Sequence, residues 1–147
     1  MLEAIKKRHS YRSFKDQEIE EEKLEKVLKA AQFAPSSNHC RPWEFIVVKD
    51  GDLKEKLSQT TPWASFAKQA PVVLVIASSK NHHNWIEDCS IATQNIYLEA
   101  TNQGLGTCFI QVRHDDTTKH EQHVRKTLNI PENVRVLCLM PIGYPDN

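Results

Sequence analysis

The chain has 147 residues, the length of one ordinary domain, and its 39% hydrophobic and 26% charged residues, with only 4 Gly and 7 Pro, exclude collagen-like, low-complexity and disordered classes. Lys and Arg (19) balance Asp and Glu (19), so no global basic field exists to gather nucleic acid or an anionic membrane. The longest apolar run, 71–77, falls far short of the ~20 residues a bilayer-crossing helix needs, and the charged N-terminus lacks a signal-peptide core.

No repeat, linker or composition break divides the sequence, so one domain is expected over 1–147. Residues 1–8 place Leu2 and Ile5 on one side of a short helix, and 19–34 carry Leu24, Val27, Leu28 and Ala31 at helical spacing; both are expected to pack on a core. The runs 44–49 and 72–77 are short, apolar and β-branched, as suits strands buried on both faces. Between them, Asp52 is expected to cap a short helix through 59, and 62–69 allow another turn beginning at a proline.

From 85 to 103, Ile91, Asn95, Leu98 and Asn102 fall along one helical stripe, joined by Ile96 and Ala92, and Gly104 stands where a stop belongs. Residues 106–113 then read as a strand, 117–128 as a polar outer helix, and 134–140 as a strand before a turn at Pro141. The sum is an α+β protein with about four strands in a mixed, largely internal sheet. Cys40, Cys89, Cys108 and Cys138 show no CxxC spacing and lie in or beside apolar segments, which reads as reduced thiols in a cytoplasm.

Three segments stand out chemically. If residues 8–12 run extended, a period of two projects Arg8, Ser10 and Arg12 to one side, giving either a three-donor anion cradle or a solvated basic stretch. In 34–43, Pro35 stops a helix and Pro42 stiffens the chain around Ser36, Ser37, Asn38, His39 and Arg41, which serve either a ligand or simple capping. In 104–111 the two glycines mark a tight turn or bring backbone close to a ligand.

His114, His120 and His123 make a surface metal site conceivable, but without HExxH or CxxC spacing they read as solvated, as do His82 and His83, and no metal is expected. A Cys40 nucleophile beside His39 is disfavoured because sequence neighbours seldom face each other, and no GxSxG elbow is present.

Taken in order, RHSYRSF (8–14), APSSNHCRPWEFIVV (34–48), DCSIATQNIYLEATNQGLGTCFI (88–110) and PIGYP (141–145) resemble the nitroreductase family of FMN flavoproteins over essentially the whole chain. The resemblance implies an α+β nitroreductase-like fold with a mainly antiparallel sheet flanked by helices, and a two-fold homodimer holding FMN in its interface. It implies that Arg8, Ser10 and Arg12, with His9 near them, take the flavin phosphate and pyrimidine side. Ser36, Ser37 and His39 match the family's second flavin-contacting loop, and Phe109, Ile110 and Gln111 match the backbone beside the ring. Asp88 and Asn95 match structural positions of the long helix, with Leu98 and Ile96 expected at the dimer seam.

The implied activity is reduction of nitroaromatic, quinone or similar acceptors by NAD(P)H in two half-reactions, with the flavin carrying the chemistry and no catalytic side chain required. The sequence departs from the family at His39 (commonly Asn), Arg41 (commonly Gln) and Phe109-Ile110-Gln111 (often Trp-Ile-Gly). The family also usually continues past GYP with a tail bearing a Lys or Arg for the phosphate, whereas this sequence stops at Asn147. The alternative reading is therefore a shortened member that binds flavin weakly, with a flavin-binding or regulatory role and no turnover.

Overall fold

The computed structural model describes residues 1–79 and 81–146. Its sheet contains β1 (Trp43–Val48), β2 (Val72–Ser79), β3 (Gly106–Thr107), β4 (Ile110–Gln111) and β5 (Val134–Gly143). The order is β1-β2-β5-β3, with β4 following β3 along the same edge of β5, and every ladder between these strands is antiparallel. A single parallel bridge, Ser10 to Thr107, attaches the segment after the first helix to the far edge. The α+β class is as expected, with five strands rather than about four.

Side chains alternate along β2 between two cores. Leu74 and Ile76 face α2 (Glu21–Gln32) and α4 (Trp85–Asn102), meeting Leu24, Val27, Ala31, Ala92, Ile96 and Ala100. Val73, Val75 and Ala77 face the other way, toward Leu57 of α3 (Gly51–Leu57) and Val124 of α5 (Lys119–Leu128). β2 is thus buried on both faces, each large side chain contributing roughly 1.5–3 kcal/mol. β1 is only half covered: it is an edge strand, with Glu44 exposed and Val47 38% accessible.

The expected single strand over 106–113 is split, and the expected turn at Pro141 is absent, for one shared reason. β5 runs through Pro141 to Gly143, and the register Thr107↔Ile142, Ile110↔Leu139 sets Cys108 opposite Pro141. Pro141 points its carbonyl at that edge, where it accepts the Thr107 hydroxyl at 2.8 Å. In a strand the N–H points the same way as the carbonyl, so the donor missing from proline is missing on that edge. The neighbouring chain leaves the ladder at Cys108–Phe109 and rejoins it at Ile110.

Three helices also differ from expectation. α1 (Glu3–Lys7) buries no residue, and Leu2 and Ile5 are 68% and 45% exposed. On α4 the inward stripe is Cys89, Ala92, Ile96 and Ala100, so Ile96 belongs to the core of the chain and not to the expected dimer seam, while Ile91 is exposed and Asn95 and Leu98 are half-buried. A mixed helix satisfies both stripes by pattern, and only packing against β2 selects one. α3 is capped by Asp50, whose carboxylate accepts the Leu53 N–H at 2.9 Å, rather than by Asp52.

α5 is not a polar outer helix throughout. Glu121 is fully buried, receiving two bonds of 2.8 Å from Arg135, one of 3.3 Å from Arg125 and the Val136 N–H at 3.1 Å. His120, expected to be solvated, is buried with Nδ1 at 2.8 Å from the Thr60 carbonyl, and half-buried His123 likewise contacts the Lys56 carbonyl at 2.8 Å.

Candidate functional site

Residues 8–12 run extended along the β3 edge, held by the Ser10–Thr107 bridge and by the Tyr11 N–H to the Thr107 carbonyl at 3.0 Å. The period of two holds. Arg8 lays its guanidinium over the Tyr97 ring at 5.2 Å, and Ser10 Oγ sits 3.1 Å from the Tyr97 hydroxyl. Arg12 lies close enough for its charge to act on Cys108. The alternate residues go elsewhere: His9 meets the Tyr11 ring edge-on at 6.0 Å, and Tyr11 covers Gly106 so closely that a Cβ there would stand 2.6 Å from its ring. The close approach that Gly106 permits is to the protein's own Tyr11, while Gly104, with φ +77°, ends α4.

The third segment meets the first through α4. The Phe109 N–H, turned out of the ladder opposite Met140, donates to the Tyr97 hydroxyl at 2.7 Å. Phe109 is half-buried, Ile110 lies in the second core, and Gln111 is exposed with its amide on the Arg113 carbonyl at 2.7 Å. Buried Cys108 lies between these groups; burial pushes its thiol up, opposed by the Arg12 charge and the Ser10 and Tyr97 hydroxyls.

The loop at 36–41 is organised at the other end of α4. Buried Asp88 accepts the Ser37 N–H at 3.0 Å and the Cys40 thiol at 3.6 Å, and Ser36 Oγ accepts the Arg41 N–H at 2.9 Å. Asn38, His39 and Arg41 all have positive φ (52°, 54° and 50°), so these bonds hold three non-glycine residues in a conformation worth avoiding elsewhere. His39 is exposed, and Ser36 and Ser37 are half-buried. Asn95 donates to the Ala30 carbonyl at 2.9 Å and ties α4 to α2.

Asp88 and Tyr97 are nine positions apart, about 14 Å along the helix at ~1.5 Å per residue. Arg8, Ser10, Arg12 and Phe109 are therefore gathered at one station on α4 and the 36–41 loop at another. Among the described residues no hydrogen bond joins the two groups.

Charge pairing separates these segments from the rest of the surface. The chain has six arginines. Arg113 pairs with Asp115, and Arg125 and Arg135 pair with Glu121. Among the described residues no carboxylate pairs with Arg8, Arg12 or Arg41, the three that lie in the two candidate segments. Sequence reading passed over Tyr97; its signal was a phenol among small core residues, whose hydroxyl must find a partner.

The four thiols are free, and only Cys40 is exposed. Burial pushes Cys89 up to about 12 and Cys138 well above the ordinary thiol range. A thiol reagent is expected to modify one cysteine per native chain, at Cys40, and all four after denaturation, read by mass spectrometry.

Fold and site together define an α+β protein with an antiparallel sheet, whose β3 edge carries, among the described residues, guanidiniums without carboxylate partners. The family model described as Nitroreductase family matches residues 5–61 and 58–144. An FMN-dependent nitroreductase of Clostridium difficile R20291 is 45% identical, with a TM-score of 0.95 over 100% of this chain and 88% of that one. A protein of Methanothermobacter thermautotrophicus provisionally named NADH dehydrogenase/NAD(P)H nitroreductase is 38% identical over 99% of this chain and 77% of its own length. An iodotyrosine deiodinase solved with FMN and 3-iodo-L-tyrosine shares the fold at 26% identity and a TM-score of 0.82, covering 98% of this chain and 89% of that one. The chain belongs to the nitroreductase family.

Proposed function

We propose that residues 1–147 form one FMN-binding domain that works as an oxidoreductase, using NAD(P)H to reduce nitroaromatic, quinone or similar small acceptors. The observation that carries this reading is the pairing pattern of the arginines: three have carboxylates, and the three that have none among the described residues lie in the segments proposed to meet the flavin. The residues fit the group. Arg8 and Arg12 supply forked, charged donors for a phosphate and for negative charge at the pyrimidine end, and Ser10 adds a shorter hydroxyl donor. His9 lies beside them, and Phe109, Ile110 and Gln111 offer a stretch of chain next to the same station.

FMN, when bound, supplies the chemistry by accepting hydride from NAD(P)H and passing electrons to the acceptor. The protein orients it and sets the local charge, and this role requires no catalytic acid–base pair. Ser36, Ser37 and His39 stand about 14 Å along α4 from Tyr97, too far to serve the same ligand edge as Ser10 within one chain. A two-fold homodimer reconciles them, with each loop completing the partner's site. The apolar faces left open by Leu2, Ile5 and Ile91 are consistent with such a seam. Among the described residues no helix is long and apolar enough to cross a membrane, and the proposed location is the cytoplasm, without nucleic-acid or membrane partners.

The test is the visible absorption spectrum of the purified protein before and after adding FMN, followed by anaerobic addition of NAD(P)H. Flavin absorbance that co-elutes with protein and bleaches on adding nicotinamide is the expected result. Flavin that binds without bleaching supports the non-turnover alternative, and a chain that takes up no FMN overturns the reading.

A further inference from the structure

We propose that Tyr97 is a positioning residue for the flavin, acting through Ser10. This rests on the reading of residues 8–12 as the flavin cradle. Tyr97 is 9% exposed, so its hydroxyl needs partners inside the protein. Its oxygen accepts the Phe109 N–H at 2.7 Å, and the hydroxyl in reach of its own proton is Ser10 Oγ at 3.1 Å. Ser10 is exposed and can find other acceptors, whereas the phenol proton would otherwise have only the weakly accepting Cys108 thiol; the phenol therefore donates and Ser10 accepts.

The consequence is directional. With its oxygen occupied by Tyr97, the Ser10 hydroxyl keeps its one proton for a group outside, between the guanidiniums of Arg8 and Arg12. The Tyr97 ring meanwhile carries Arg8 at 5.2 Å. The arrangement originates in the sheet. In the antiparallel register that sets Cys108 opposite Pro141, the Phe109 N–H points away from β5, on the same side as the Thr107 carbonyl that accepts Tyr11, and Tyr97 captures it. One phenol on the core helix thus couples the excursion beside the ring to the donor at the phosphate, and Tyr97 itself need not touch the ligand.

The experiment compares FMN dissociation constants, from quenching of flavin fluorescence, for wild type, Tyr97→Phe, Ser10→Ala and the double variant, with thermal melts of the four apoproteins. Tyr97→Phe keeps the ring beneath Arg8 and removes only the hydroxyl. It is expected to weaken FMN binding roughly three- to ten-fold, the range of one hydrogen bond. Adding Tyr97→Phe to Ser10→Ala is expected to weaken binding no further, because the effect passes through Ser10. An unchanged constant in Tyr97→Phe, additive losses in the double variant, or a Tyr97→Phe chain that no longer folds each overturn the proposal. If the wild type takes up no FMN, the flavin reading falls with it, whereas wild-type binding with an indifferent Tyr97→Phe removes this proposal alone.

Discussion

Replacing Glu121 by alanine is expected to destabilise the protein by about 3–5 kcal/mol, the range for removing one partner of a buried ion pair. The carboxylate is fully buried and is the shared acceptor of Arg125, Arg135 and the Val136 N–H. Without it, Arg125 at 7% exposure keeps its charge with no carboxylate, while Arg135 retains only its stacking on Trp85 at 5.0 Å. At roughly 3 °C per kcal/mol for a chain of this size, the melting temperature should fall by about 10–15 °C. Replacing Glu121, Arg125 and Arg135 together by apolar residues of similar volume should recover much of that loss, because the desolvation cost leaves with the charges.

Acid gives the same site a second signature. Burial pushes the Glu121 carboxyl up, but the Arg135 hydrogen bonds, the Val136 N–H and the two guanidinium charges outweigh it and hold it below the ordinary 4.5. A carboxyl lowered by folding contributes stability in full above its unfolded value and loses it as pH falls through the folded value. Wild type should therefore lose stability steeply below about pH 4.5, and Glu121→Ala less steeply; parallel melting curves from pH 7 to 3 would contradict this.

The second large effect concerns the proposed cradle. Arg8→Ala combined with Arg12→Ala is expected to weaken FMN binding by about two powers of ten or more, taking each charge-assisted bond at the low end, about 1.5 kcal/mol, for donors that meet solvent. NAD(P)H oxidation at limiting FMN should fall in step. The Arg8–Tyr97 contact is one cation–π pair on a half-buried arginine, worth about 0.5–1 kcal/mol, so the melting temperature of the apoprotein should move little. Unchanged FMN affinity in the double variant would remove these arginines from the site.

How much was legible in the sequence varies with the range of the interaction. The stiff loop around Ser36, Ser37 and His39 was legible from its two prolines, and the shared side of Arg8 and Ser10 from the alternation of an extended segment. Tyr97 and Asp88 organise those two groups through contacts spanning 87 and 51 positions, which no local pattern encodes. The inward stripe of α4 was not legible for a related reason: Ile91 and Leu98 are as apolar as Ala92 and Ile96, and packing decided between them.

By itself the sequence determined the element types, the α+β class and the family, since periodicity, proline and glycine placement and short motifs act within a few residues of one another. The tertiary structure alone decided that Pro141 splits the strand beside it and that the Phe109 N–H meets Tyr97. It alone decided that Glu121 becomes a buried hub and that, among the described residues, three of six arginines have no carboxylate partner. Those outcomes depend on which hydrogen-bonding and charged groups find partners, and partners are assigned only when distant segments meet.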